Sequence, residues 1–326
     1  MSINGILWIL IKTISVVAVF LIHVMFVQLF ERKAIAHMQS RMGPMRVGWH
    51  GVLQPIADSI KLFFKEDIIP TNADKPIFYI APIIGVIGAV SSLAVVPLWE
   101  GFSIANLNVG ILYILALSSV SAYSVILGGW ASNSKYSFLG GLRSSAQVIS
   151  YEISMGLSLV GVMMMAGSTN LSDIVRAQQQ GNWFVVPQIL GFTVFFISAL
   201  AETNRVPFDL PEAETELVSG FATEYSGMRW ALFFMAEYAG MFVMSALAVI
   251  CFFGGWSGPD FWIFAKVPPV IWLILKVYGF IFLYFWIRAT LPRYRYDQLM
   301  RLGWKIFIPV ALANIVLTGV IKILWK

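Results

Sequence analysis

Apolar residues fill the chain in long runs, separated by shorter stretches where charge, glycine and proline collect. A helix needs about 20 mostly apolar residues to cross a bilayer. The runs at roughly 5–30, 77–98, 107–129, 142–166, 184–201, 229–253, 268–290 and 303–325 approach that length. They predict an all-α polytopic membrane protein, a single transmembrane domain over 1–326 with about eight spanning helices. Turn-forming clusters such as GGWSGP at 254–259 mark the connections.

The pattern changes between the first two runs. In HGVLQPIADSIKLFFKED, Leu53, Ile56, Ile60 and Phe63 recur at helical spacing, while Gln54, Asp58, Lys61 and Lys65 form a polar stripe. This predicts an amphipathic helix at about 51–66 lying in the membrane interface. A plain membrane anchor would show the same pattern. The preceding RMGPMRVGWHG reads as a Gly/Pro-rich turn carrying Arg41 and Arg46.

Composition excludes a soluble fold: 59% of residues are hydrophobic and only 12% charged. The lone Cys251 allows no internal disulfide and cannot hold an iron–sulfur cluster, which generally takes four ligands. His23, His37 and His50 show no metal-ligand spacing. No metal, flavin or iron–sulfur cluster is therefore expected on this chain alone, and nothing suggests nucleic acid. The opening MSINGILWILIK has no basic segment before its apolar run, so it is expected to stay as a first helix.

Charge sets the expected orientation. Eight spans place both termini on one side. The loops after spans 1, 3, 5 and 7, with their flanks, hold 16 of the 22 Lys and Arg residues, against four on the other side. By the positive-inside rule both termini lie outside. The acidic loop at about 202–228 is then cytoplasmic. That stretch, AETNRVPFDLPEAETELVSGFATEYSG, holds Glu202, Asp209, Glu212, Glu214, Glu216 and Glu224, six of only 17 acids, with Arg205 as its sole base. It reads either as a solvated loop or as the mouth of a proton or cation path.

Two further acids lie inside spans. Glu152 follows Arg143 by nine residues, about 14 Å along a helix, and Glu237 sits about 12 Å into its span. A charge at that depth is costly, so both should face protein or water. Either alone suits a proton relay or a neutral acid hydrogen-bonded between helices; two at similar depth, beside the acidic loop, favour a proton path. Lys12 and Lys322, near span ends, are expected to snorkel. Lys276 is deeper and is expected to have a carboxylate partner. Arg288, Arg293, Arg295 and Arg301 crowd the loop after span 7, a topology signal that could also serve docking.

Taken in order, ERKAIAHMQSRMGP, LQPIADSIKLFFKED, SSAQVISYE, the 201–227 stretch, FFMAEY and LPRYRYDQLM resemble the H subunits of the proton-pumping NADH–quinone oxidoreductases, respiratory complex I. The resemblance runs from about residue 28 to 308. It implies a membrane subunit that forms much of a quinone tunnel and couples quinone reduction to proton translocation. Quinone would be its substrate. Electrons would arrive from the terminal iron–sulfur cluster of a partner in the hydrophilic redox arm. Neighbouring membrane-arm subunits and lipid would complete its surroundings, in a bacterial plasma membrane. By resemblance, Glu31, Arg32, Arg41, Asp58, Lys61 and Arg288 lie along the tunnel, with the amphipathic helix framing its entrance. Glu152, Glu202, Asp209, Glu212, Glu214, Glu216, Glu224 and Glu237 match the acidic proton path. Met45 departs from the family's usual Asn and leaves the conformation of that loop open. The other readings are a membrane subunit of a membrane-bound hydrogenase or formate hydrogenlyase, and a stand-alone ion transporter, against which the lack of an internal repeat speaks.

Overall fold

The structure, a computed structural model, describes residues 3–212, 214–258 and 266–324, the side chains of 3–6, 214 and 215 excepted. Among them the regular structure is helical: α1 (Ile3–Met38), α2 (Gln54–Phe64), α3 (Lys75–Ser92), α4 (Gly110–Ala131), α5 (Lys135–Ala166), α6 (Leu171–Gln179), α7 (Ile189–Glu202), α8 (Glu214–Leu217), α9 (Gly227–Phe252), α10 (Pro269–Thr290), α11 (Tyr296–Arg301) and α12 (Ile308–Leu324). A π-helical turn, Leu302–Phe307, joins the last two into one continuous span.

Among the described residues seven helices are long and apolar enough to cross a membrane by length and composition: α1, α3, α4, α5, α9, α10 and the α11–α12 unit. The chain is a multi-pass membrane protein. The expected span at 184–201 is a different object. Its helix, α7, has 14 residues, about 21 Å against a hydrocarbon core of about 30 Å. Residues 184–188 form turns instead. A chain can leave helix at membrane depth only where protein satisfies its polar groups. Here Gln188, at the start of α7, accepts from Asn314 Nδ2 at 2.7 Å and donates to Thr318 Oγ1 at 2.6 Å.

α9 is the central helix: Tyr238 and nearly every residue from Met241 to Phe252 are buried among its neighbours. α3 and α4 pack closely through small residues. A Cβ added at Gly88 would lie 2.2 Å from Ser121 Oγ, so the two backbones approach as only glycine allows. α1 and α5, with 36 and 32 residues, are each longer than a hydrocarbon core of about 30 Å requires. α5 stops at Gly167, whose φ of 70° makes the left-handed cap that ends many helices.

The amphipathic helix is shorter than expected, Gln54–Phe64, and Pro55 occupies its first turn, where the missing N–H costs nothing. Its apolar face is open, with Ile56, Ile60, Phe63 and Phe64 exposed.

Lys276, expected to have a carboxylate partner, meets backbone among the described residues. Its Nζ has no carboxylate among its described contacts; it donates to the carbonyls of Phe253 (2.7 Å), Gly255 (3.2 Å) and Ser257 (2.6 Å). These follow the last turn of α9, where backbone carbonyls lack helical partners and attract a cation. Trp183 covers the ammonium at 4.6 Å.

Candidate functional site

The loop between α7 and α9 folds inward rather than out into solvent. Gln147, on a buried face of α5 with Ser144 and Tyr151, staples it: its Nε2 donates to the carbonyls of Ala201 and Phe208, both at 2.7 Å. Gly220 closes the return. Its φ is 51°, and a Cβ there would meet the Pro211 carbonyl oxygen at 1.6 Å. Phe208 and Leu210 enter the core, and Arg205 is carried in with them, 5% exposed.

Arg205 is the hub of the site. Its Nη1 donates to Glu31 Oε1 of α1 at 3.1 Å, and its Nε forms an ion pair with Glu237 Oε1 of α9 at 2.6 Å. Its guanidinium lies over the Tyr238 ring, 4.4 Å from the centroid. Tyr238 in turn donates from its hydroxyl to Glu31 Oε2 at 2.5 Å, and Arg288 Nη1 of α10 donates to Glu31 Oε1. Four segments thus converge on one carboxylate. Burial opposes the Arg205 charge, but Glu237 and Glu31 outweigh it and hold its pKa above the usual arginine value.

Two cavities meet at this hub. The larger, about 700 Å³, is lined by Glu31, Arg32, Arg41, Tyr238 and Arg288, together with Gln28, Gln39, Pro44 and Phe234. The smaller, about 100 Å³, lies between α3, α4 and α9 and is lined by Glu202, Glu212, Glu237, Asn204, Ser118 and Ser121 among apolar neighbours. Glu31 faces the first and Glu237 the second. Arg205 bonds both.

Of the expected tunnel residues, Glu31, Arg32, Arg41 and Arg288 line the larger cavity. Asp58 stands behind Arg32, accepting from its Nη1 at 2.7 Å and from Gln54 Nε2 at 3.0 Å. Lys61 is exposed, 3.8 Å from the same carboxylate. Of the expected acidic path, Glu202, Glu212 and Glu237 share the smaller cavity. Glu152 lies beside Glu202 as its electrostatic neighbour and accepts from Ser119 Oγ. Asp209 accepts from Arg293 Nη2 at 3.0 Å, and burial still pushes its carboxyl above the usual aspartate range. Burial, helped by repulsion from Glu237 and Asp209, pushes Glu212 up to about 8. Glu216 does not join them: it forms a solvent-facing ion pair with Arg143 at 2.6 Å. Glu224 is half-buried and lines neither cavity. The side chain of Glu214 lies outside the described residues.

Sequence reasoning passed over Arg205, Tyr238 and Arg293 as site residues. For Arg205 a signal existed, a single base among six acids. Tyr238 adjoins Glu237, and nothing in its spacing marks it. Among the described residues no three His, Cys, Asp or Glu side chains gather as a metal site.

The NADH dehydrogenase family profile matches residues 11–319. The chain is 54% identical to the second H subunit of the NADH-quinone oxidoreductases of Geobacter metallireducens, over 95% of this chain and 94% of that one. It is 53% identical to the NADH-quinone oxidoreductase H subunit of Magnetococcus marinus, over 96% of this chain and 92% of the relative. With the corresponding H subunit of Rhodospirillum rubrum it shares 51% identity, over 97% and 95%. With its acid-and-arginine hub and full-length likeness to these proteins, the chain belongs to the NADH dehydrogenase family, among the H subunits of the NADH-quinone oxidoreductases.

Proposed function

We propose that this chain, as the H subunit of an NADH–quinone oxidoreductase, takes a quinone head group into the larger cavity and passes the electrical consequence of its reduction to the acids of the smaller one. The observation that carries this is Arg205, one guanidinium bonded to a carboxylate of each cavity. Reduction of a quinone to quinol takes up two electrons and two protons. The electrons come from a partner subunit's cluster. Polar and charged groups around the larger cavity, Arg32, Arg41, Arg288 and Tyr238, hold the head group and steady charge as it forms. When Glu31 gains or loses a proton, Arg205 and Arg288 rebalance between it and Glu237. Glu237, Glu212, Glu202 and Glu152 then exchange protons in turn: Glu212 lies in the field of Glu237, Glu202 shares their cavity, and Glu152 lies in the field of Glu202. Counting α7 together with the turns at 184–188 as an eighth crossing, we place both termini outside a bacterial plasma membrane and the acidic loop in the cytoplasm.

Glu237 is the decisive test. Gln keeps its size and most hydrogen bonding but cannot ionise. Glu237→Gln should assemble yet lose proton pumping, and quinone reduction with it. Glu237→Asp should keep part of both. Structural glue alone predicts the reverse ranking. Near-normal pumping by the Gln variant in assembled complex would end the relay role.

A further inference from the structure

The chain just past α2 is tied to the start of α9 by contacts that the hub does not use. Asp67 Oδ2 forms an ion pair with Arg229 Nε at 2.9 Å. Arg229 is largely buried, its guanidinium 3.8 Å from the Tyr79 ring centroid of α3. Next to it, Ile68 N–H donates to Ser226 Oγ at 3.0 Å. Gly227, the first residue of α9, approaches closely enough that a Cβ there would lie 3.2 Å from the Lys65 carbonyl oxygen. At its other end the same segment is held to α1 by Asp58 and Arg32.

From Arg229 the path into the hub is short. Trp230 stacks on Phe234 with ring centroids 4.8 Å apart, and Phe234 lies 5.0 Å from Tyr238. These three are spaced four residues apart, so they form one ridge along α9. Phe234 and Tyr238 line the larger cavity, and Tyr238 donates to Glu31. α2 therefore has a rigid connection to the hub through α9, in addition to the one through α1.

We propose that Asp67 and Arg229 are positioning residues: their ion pair, seated on Tyr79, locks α2 to the start of α9, so that the entrance helix and, through Trp230, the Phe234–Tyr238 wall of the larger cavity hold one geometry. The pair touches neither cavity and acts only through those elements. Its consequence for quinone rests on the function proposed above. Its consequence for the mobility of α2 does not.

The test uses assembled complex in membranes with Arg229→Met, Asp67→Asn, Arg229→Lys and the exchange Asp67→Arg with Arg229→Asp. Two quantities are read: amide hydrogen exchange across 54–64, and KM against kcat for a short-chain quinone. Contacting pairs of this kind couple by an amount that moves an equilibrium by about five- to tenfold. Arg229→Met and Asp67→Asn should each speed exchange in 54–64 and raise KM by about that factor, with kcat within about twofold. Lys keeps the charge but loses the flat stacking on Tyr79, so it should fall between. The exchanged pair should recover part of the loss. Unchanged exchange in both single variants overturns the lock. Faster exchange with unchanged KM leaves the lock standing and counts against the quinone assignment of the larger cavity. A loss of kcat alone would overturn the positioning role.

Discussion

Two buried polar clusters hold helices together at opposite ends of the bundle, and they are built differently. Gln188, Asn314 and Thr318 are neutral, bond one another at 2.6 and 2.7 Å, and leave no buried side-chain atom without a partner. The cluster around Arg205 is charged and crowded with acids, and Glu202 Oε2, Asp209 Oδ1 and Arg205 Nη2 are buried with no hydrogen-bond partner among the described residues. A satisfied neutral network has one best arrangement and serves as glue between α5, α7 and α12. A cluster with more carboxylates than bases can place its protons in several ways of similar energy. Only the second kind of site can answer a change of charge nearby.

The comparison breaks most directly at Arg205. Arg205→Met leaves Glu31 and Glu237 buried with a partner removed, a loss of roughly 3–5 kcal/mol for a buried pair. NADH–quinone activity of assembled enzyme should fall by about 100-fold or more, the rate equivalent of about 3 kcal/mol. NADH oxidation by a hydrophilic acceptor, which bypasses this chain, should hold.

The neutral cluster should fail in another way. Asn314→Ala strands Gln188 Oε1 and should cost roughly 1–3 kcal/mol, read as a lower melting temperature of the complex. Protons pumped per electron should not change in whatever complex assembles. A changed ratio would mean that this network also belongs to the proton path.

A finer distinction lies in pH. Glu212 keeps its proton up to about 8, against 4.5 for an ordinary glutamate. Between those values the folded state binds more protons than the unfolded one, so its contribution to stability falls as pH rises from 4.5 to about 8 and is level outside that window. Glu212→Gln should remove this slope and flatten the change in pumping near pH 8. A wild-type profile in the Gln variant would remove Glu212 from the titrating set.

The smallest effect is expected at Glu216. Its pairing with Arg143 is exposed, and such pairs contribute about 0–1 kcal/mol. Glu216→Gln should keep pumping within about twofold. A large loss would extend the responsive cluster out into solvent and blur its contrast with the neutral one.

Much of this was legible from residue order alone. Runs of about 20 apolar residues can be little else than spanning helices, so the class of fold and most of its helices followed. The stripe at 53–63 foretold α2, and the density of acids after α7 marked the region of the site. Other features depended on partners far away in the chain. Periodicity could not show that α7 stops short, because its N-terminal end is sustained by Asn314 and Thr318, more than 120 residues on. Nor could local spacing give Lys276 its three backbone carbonyls.

The sequence by itself determined that this chain lives in a membrane and concentrates its acids beside one end of the bundle. Those properties are sums over residues and their local spacing. Which acids share a cavity was decided only by the tertiary structure. Glu216 and Glu212 are four residues apart, yet one is solvated and the other is pushed up to about 8. The difference is set first by the burial of Glu212 in the inward-folded loop, and then by the repulsion of Glu237 and Asp209, which the fold brings to Glu212. Electrostatics acts through space, and sequence distance does not measure it.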